Sequence, residues 1–185
     1  MQTMACVASV NYRVRRLVLA LLLLSLLPSA GLVAKAQKQE SRPPASPTGA
    51  KNFDEAADAA LLAMRQRAGE LSISGVAVVA YFEGDSIQSW SSKMLVVGRM
   101  KDDPSATSKG SNLLAIAYSK AAEMADTLKD SGSQVRPPMT GEVGWTGGVI
   151  LRGKTGYVIA AFSGGKSEDD VKVSQAGVEV LKSKL

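Results

Sequence analysis

Apolar residues recur every three or four positions at Phe53, Ala57, Ala60, Leu61, Met64 and Ala68, which predicts a helix over about 53–69 with Asn52 placed to cap it. The run Gly75–Phe82 is apolar without alternation, so it predicts a strand buried on both faces, closed by a turn at Glu83-Gly84-Asp85. Residues 86–98 predict one or two further strands, of which Met94–Val97 is the clearest part. Trp90, among three serines, fits either a strand edge or the rim of a binding surface. A loop over 102–110 leads to a second helix at about 112–129, capped by Ser111, with Leu113, Leu114, Ala117, Tyr118, Ala121, Met124, Ala125 and Leu128 facing inward. The stretch 130–144, which contains Arg136-Pro137-Pro138, has no periodicity, and loops of that length are often functional. A last helix over about 168–183 opens on Ser167-Glu168-Asp169-Asp170, with acids at its positive end.

Between the long loop and that helix, Gly148, Gly153, Lys154 and Thr155 match the spacing of a nucleotide-binding phosphate loop. Such a loop needs flexible residues between its glycines and a helix starting at its Lys-Thr. Here Val149, Ile150 and Leu151 fill the gap, and Gly156 followed by Tyr157–Phe162 reads as a second strand. The pattern therefore predicts a β-hairpin, with strands near 147–151 and 157–162 around the turn Arg152–Gly156, and no nucleotide. Taken in order, the elements predict an α+β domain. Its antiparallel sheet has about five strands, flanked by helices on both faces.

The net charge of +5 does not point to nucleic acid, because it sits in the leader. Residues 1–36 hold Arg13, Arg15, Arg16 and Lys35 and no acid, so 18 of the 22 basic residues remain against 17 acids. No basic stripe is left for phosphates. The three arginines, the apolar run Leu17–Leu27, the break at Pro28 and the small-x-small Ala34-Lys35-Ala36 predict a signal peptide over 1–36. An uncleaved anchor is the alternative, weakened by Pro28, Ser29 and Gly31. Export, to a periplasmic or extracellular space, is the expectation, with no membrane association once the leader is cut. Residues 37–51, polar with three prolines, predict a disordered tether, and 52–185 one domain. The single cysteine, Cys6, lies in the leader, so the domain has no disulfide. Histidine is absent, which excludes Ser-His-Asp and Cys-His hydrolases and removes the commonest metal and haem ligand.

Gly147-Gly-Val, then Gly156–Phe162 ending in Ser163-Gly164, then Asp170 and Ala176-Gly177, resemble the C-terminal half of the GlcG/HbpS-like haem-degrading domain family. Gly98-Arg99-Met100-Lys101-Asp102 is similar to the family's Arg-Met-Asp strand end, and Ala117–Ala121 to its Lys-bearing helix motif. The likeness covers about 53–183. It implies a profilin-like fold, a homo-oligomer, and a bound ligand such as haem, another tetrapyrrole, iron or a corrinoid. The sequence offers no obvious nucleophile–base pair, so a binding protein is expected ahead of an enzyme. Four departures stand out: an acid missing after Val79, Lys101 inserted in the Arg-Met-Asp motif, Glu123 in place of a helix Thr, and a longer segment before Arg99. A structural or regulatory oligomer with a degenerate pocket is the competing expectation.

The candidate ligand-binding residues are Arg99, Met100, Tyr118, Lys120, Glu123, Ser163 and Gly164. With no histidine, an axial haem ligand would have to be Met, Tyr, Lys or a carboxylate; Met100 and Tyr118 are candidates by elimination, and Met100 is more simply a strand-end core residue. Arg99 suits a carboxylate and is equally a surface arginine; Lys120 is either a ligand group or a solvated helix lysine, and Glu123 its ion-pair partner. Ser163-Gly164-Gly165 lies just ahead of a helix start, where free N–H groups can take an anion. Asp102 and Asp103 are the candidates for a hard cation, or simply begin a loop before Pro104.

Overall fold

The computed structural model describes residues 48–185, with side chains from Asn52 onward. The expected signal peptide, 1–36, and residues 37–47 of the expected tether lie outside the described residues. Helix α1 spans Thr48–Glu70 and so begins inside the expected tether. The prolines end at Pro47, and Asn52 stands within the helix instead of capping it. Strands β1 (Gly75–Glu83) and β2 (Ser91–Val97) follow. Two short strands, β3 (Lys101–Asp102) and β4 (Ser111–Asn112), lead into helix α2 (Leu113–Thr127). The long loop then gives way to β5 (Gly148–Arg152), β6 (Gly156–Ser163) and helix α3 (Ser167–Lys184).

The domain is α+β, and its main sheet has four strands in the order β2-β1-β6-β5, all neighbours antiparallel. The expectation of about five is corrected by β3, which pairs only with β4 in a two-residue ladder of its own. Acids, Pro104 and Gly110 interrupt that segment, and no apolar face remains to bury it.

Strand β1 has no polar face because both its faces carry helices. Ala77, Val79 and Tyr81 join α1 and α3 in one core cluster. Val76, Val78, Ala80 and Phe82 join α2 in the other. Strand β6 divides in the same way, with Val158, Ala160 and Phe162 on the first side and Ile159 and Ala161 on the second. Gly177 brings α3 close to α1 and the sheet, since a Cβ there would collide with the Met64 side chain. An interior helix glycine costs about 1 kcal/mol against alanine, which the closer packing offsets.

The expected cap of the second helix is replaced by its neighbour. Helix α2 is capped by Asn112, whose side chain accepts from Ala115 N, while Ser111 belongs to β4. Helix α3 begins after Lys166 with no side-chain cap. The hairpin forms as expected, with Gly153 N donating to Gly156 O at 2.8 Å across its turn. Val149–Leu151 are strand residues, and Lys154 is exposed at the tip with no helix behind it. Among the described residues no helix is long and apolar enough to cross a membrane.

Candidate functional site

The chemistry concentrates where β6 ends, α3 begins and α2 passes behind the start of β5. Lys120 on α2 is 1 % exposed, and its Nζ donates to Asp170 Oδ2 at 2.9 Å and to Phe162 O at 2.8 Å. Asp170, in the first turn of α3, also accepts from Gly165 N at 2.8 Å through Oδ1. The pair therefore ties together helices on opposite faces of the sheet. Gly147, at φ +139°, makes room for the crossing: a Cβ there would approach Lys120 Nζ and the Asp170 side chain inside the 3.0 Å that real contacts respect. Its carbonyl accepts from Ser174 Oγ at 2.7 Å.

Burial pushes the Lys120 ammonium below its ordinary range, against the pull of Asp170. It likewise pushes the Asp170 carboxyl up, opposed first by Lys120 and then by backbone N–H groups. The desolvation of each charge outweighs the attraction between them.

Arg99 is a second tie. Its Nη1 donates to Ser74 O at 2.7 Å and to Ser74 Oγ, its Nη2 to Gly164 O at 2.8 Å, and its Nε to Asp102 Oδ1 at 2.8 Å. The guanidinium thus clamps the start of β1 to the turn after β6, with four of its five N–H groups engaged.

A cleft of about 200 Å³ opens over these ties. Ser163, Gly164, Gly165 and Ser167 form its floor at the start of α3, with Lys120 and Asp170 beside them. Asp102 and Ser111 line it from the small ladder, Leu113 and Ile116 from α2, and Trp145 and Thr146 from the long loop. Trp145 is 55 % exposed, a large aromatic left largely in water. The loop that presents it is anchored. Arg136 holds Glu142 by two bonds, at 2.7 and 2.8 Å, and also reaches Asp126 on α2. Val143 N donates to Ser119 Oγ on the same helix at 2.8 Å. The Arg136 guanidinium and the Met139 N–H hold the Glu142 carboxyl down at about 2.

The structure brings Arg99, Lys120, Ser163, Gly164 and Asp102 together, and leaves the other candidates elsewhere. Tyr118 stands two residues before Lys120, which on a helix is the opposite side. Its ring lies 6.4 Å from that of Trp90, so both aromatics pack on the α2 side of the sheet and Trp90 is no rim residue of this cleft. Met100 is 44 % exposed outside the cleft. Glu123 pairs not with Lys120, which Asp170 takes, but accepts from Gly132 N at 2.9 Å, and its Oε2 is buried without a partner. Asp103 pairs with Lys101 on the surface. Among the described residues no cluster of three or more His, Cys, Asp or Glu is placed to hold a metal ion.

The candidates that sequence reasoning did not single out are Trp145, Thr146, Ser111 and Ser167. Asp170 entered only as one of the acids opening the last helix and as part of a resemblance. A lone tryptophan in an aperiodic loop carries no sequence signal; its position depends on the Arg136 and Ser119 anchors. No model of a known protein family matches the chain, and no curated protein matches it.

Proposed function

We propose that this is an exported small-ligand-binding domain whose cleft takes a carboxylate-bearing molecule, with a flat apolar body lying against Trp145. The observation that carries the reading is the cleft floor. Lys120 has three N–H donors and spends two on Phe162 O and Asp170, which leaves one for the cleft it lines. Ser163, Ser167 and Ser111 line the same cleft, and Asp102, which also lines it, is paired with Arg99. Hydroxyls and one charged N–H suit an oxygen acceptor, and Trp145 offers a face for stacking.

A tetrapyrrole fits this arrangement by its edge and not by its metal. A cleft of about 200 Å³ is smaller than the pockets that enclose whole drug-sized ligands, roughly 300–1,000 Å³. Met100 and Tyr118 lie outside it, and the cations expected to clamp propionates, Arg99 and Lys120, already hold the fold together. The residues present therefore do not fit an axially ligated haem. They do suit one propionate in the cleft with the ring outside on Trp145. The competing reading, a structural or regulatory module, draws on the same two ties, since both cations are engaged within the domain.

Fluorescence titration separates the readings. Haem and iron-free protoporphyrin should bind with similar affinity and quench Trp145, and Trp145→Ala should weaken both at least tenfold, about 1.4 kcal/mol. Haem binding with a changed Soret band, alongside no protoporphyrin binding, would establish axial ligation instead. No response to either at tens of micromolar would leave the structural module.

A further inference from the structure

Two ionic ties meet at the cleft, and each leaves one polar group unspent. Lys120 keeps one N–H beyond those given to Phe162 O and Asp170. Asp102 gives Oδ1 to Arg99 Nε, at 2.8 Å, and its Oδ2 accepts no hydrogen bond among the described residues. Its side chain is 45 % exposed, and the residue lines the cleft together with Ser111, its partner in the β3–β4 ladder. The ties also share a turn. Asp170, the partner of Lys120, accepts from Gly165 N, while Arg99, the partner of Asp102, donates to Gly164 O. A spare donor and a spare carboxylate oxygen thus belong to ties that end on adjacent residues of one floor.

Charge and size decide what such a floor takes. Lys120 and Arg99 balance Asp170 and Asp102, so the two ties bring no net charge to a ligand. A lone carboxylate gains the Lys120 contact and crowds the free oxygen of Asp102, whereas a molecule carrying both signs meets an opposite group at each end. About 200 Å³ is the share of roughly seven water molecules, room for a carboxylate, an ammonium and the carbon that joins them. The rest of the ligand must extend outward, where the half-buried Ile116 and the exposed Trp145 offer apolar surface. We propose that the cleft binds a free α-amino acid with an aromatic side chain: its carboxylate on the spare N–H of Lys120, its ammonium on Asp102 Oδ2 and its ring against Trp145. This rests on the carboxylate-binding reading of the cleft and adds to it a second, opposite charge in the same ligand. The adjacent ends of the two ties on Gly164 and Gly165 favour charges borne by one carbon, as in an α-amino acid, over charges held far apart.

Calorimetric titration of the full chain with L-phenylalanine, to millimolar concentration, tests this. Two analogues each lack one charge: phenylpropanoate has no ammonium, and phenylethylamine has no carboxylate. Phenylalanine should bind saturably, and each analogue at least tenfold more weakly. Asp102→Asn should bring phenylalanine down to the level of phenylpropanoate while leaving phenylpropanoate itself no weaker. The analogue series needs no variant, so it stands even if Asp102→Asn does not fold. Phenylpropanoate binding as tightly as phenylalanine, or Asp102→Asn binding phenylalanine unchanged, overturns the ammonium site and leaves the carboxylate reading in place. Protoporphyrin binding without phenylalanine binding does the same. Failure of phenylalanine, phenylpropanoate and protoporphyrin alike overturns both.

Discussion

Breaking the Lys120–Asp170 pair from each side in turn exposes what the pair costs and what it holds. Lys120→Met leaves a carboxylate with a side chain 5 % exposed and no counter-ion; Asp170→Asn leaves an ammonium 2 % exposed in the same position. Removing one partner of a buried pair costs about 3–5 kcal/mol, because the surviving charge stays desolvated. The double variant Lys120→Met/Asp170→Asn removes both charges, and Asn keeps an oxygen for Gly165 N, so it should lose at least about 2 kcal/mol less than the two singles together. The pH dependences should run in opposite directions. In Asp170→Asn, Lys120 loses the partner that raises its pKa and falls further below its ordinary value of 10.5. The unfolded chain then binds more protons than the folded one, and stability rises with pH toward 10.5. In Lys120→Met, Asp170 moves further above its ordinary 3.8. Here the folded chain binds more protons, and stability falls as pH rises from 3.8 through the raised value. Urea unfolding across this range, with the slope checked for constancy, measures all of it. Single variants costing under about 1 kcal/mol, or pH slopes of the same sign, would refute the assignment of a buried, mutually dependent pair.

Three further outcomes follow from the same geometry. Gly147→Ala combines a positive φ with a collision against Lys120 and should cost about 2–4 kcal/mol in urea unfolding, whereas Gly153→Ala, where a Cβ meets nothing closer than 3.6 Å, should cost much less. Glu142 is depressed from 4.5 to about 2, so the stability it lends the long loop is complete above 4.5 and drains away as pH falls toward 2; amide exchange at residues 136–146 should quicken over that interval, by about 1 kcal/mol of protection. Lys154→Ala should change stability by less than about 0.5 kcal/mol and leave no nucleotide affinity to lose.

Local periodicity made the helices and the hairpin legible. Residues such as Phe53, Ala60 and Met64 declare a face wherever they fold, and the continuous run of β1 requires cover on both sides. Asn112 and Ser111 were separable only by which backbone N–H each could reach, a matter of one residue in the helix start. The missing fifth strand and the cleft depend on partners distant in sequence. Lys120 looks like any surface lysine until Gly147 and Asp170 close around it, and Arg99 like any arginine until Gly164 and Ser74 take its fork. Those contacts span the whole domain, where short-range pattern carries no information.

The position of β6 also dictates when the domain can form. The central strands of the sheet are β1 and β6, with Val76 opposite Ser163 and Glu83 opposite Gly156. Until β6 is available, β1 has β2 on one side and a bare edge on the other, and α1 lacks α3 as its packing neighbour. Closing so long an intervening chain is the slow step for a topology of this kind. A chain emerging N-terminus first, from a ribosome or through a translocation pore, therefore stays open over nearly its full length and locks only when its last helix is free. Truncation anywhere before Ser163 should leave a chain that cannot complete its sheet, whatever the quality of the segments that remain.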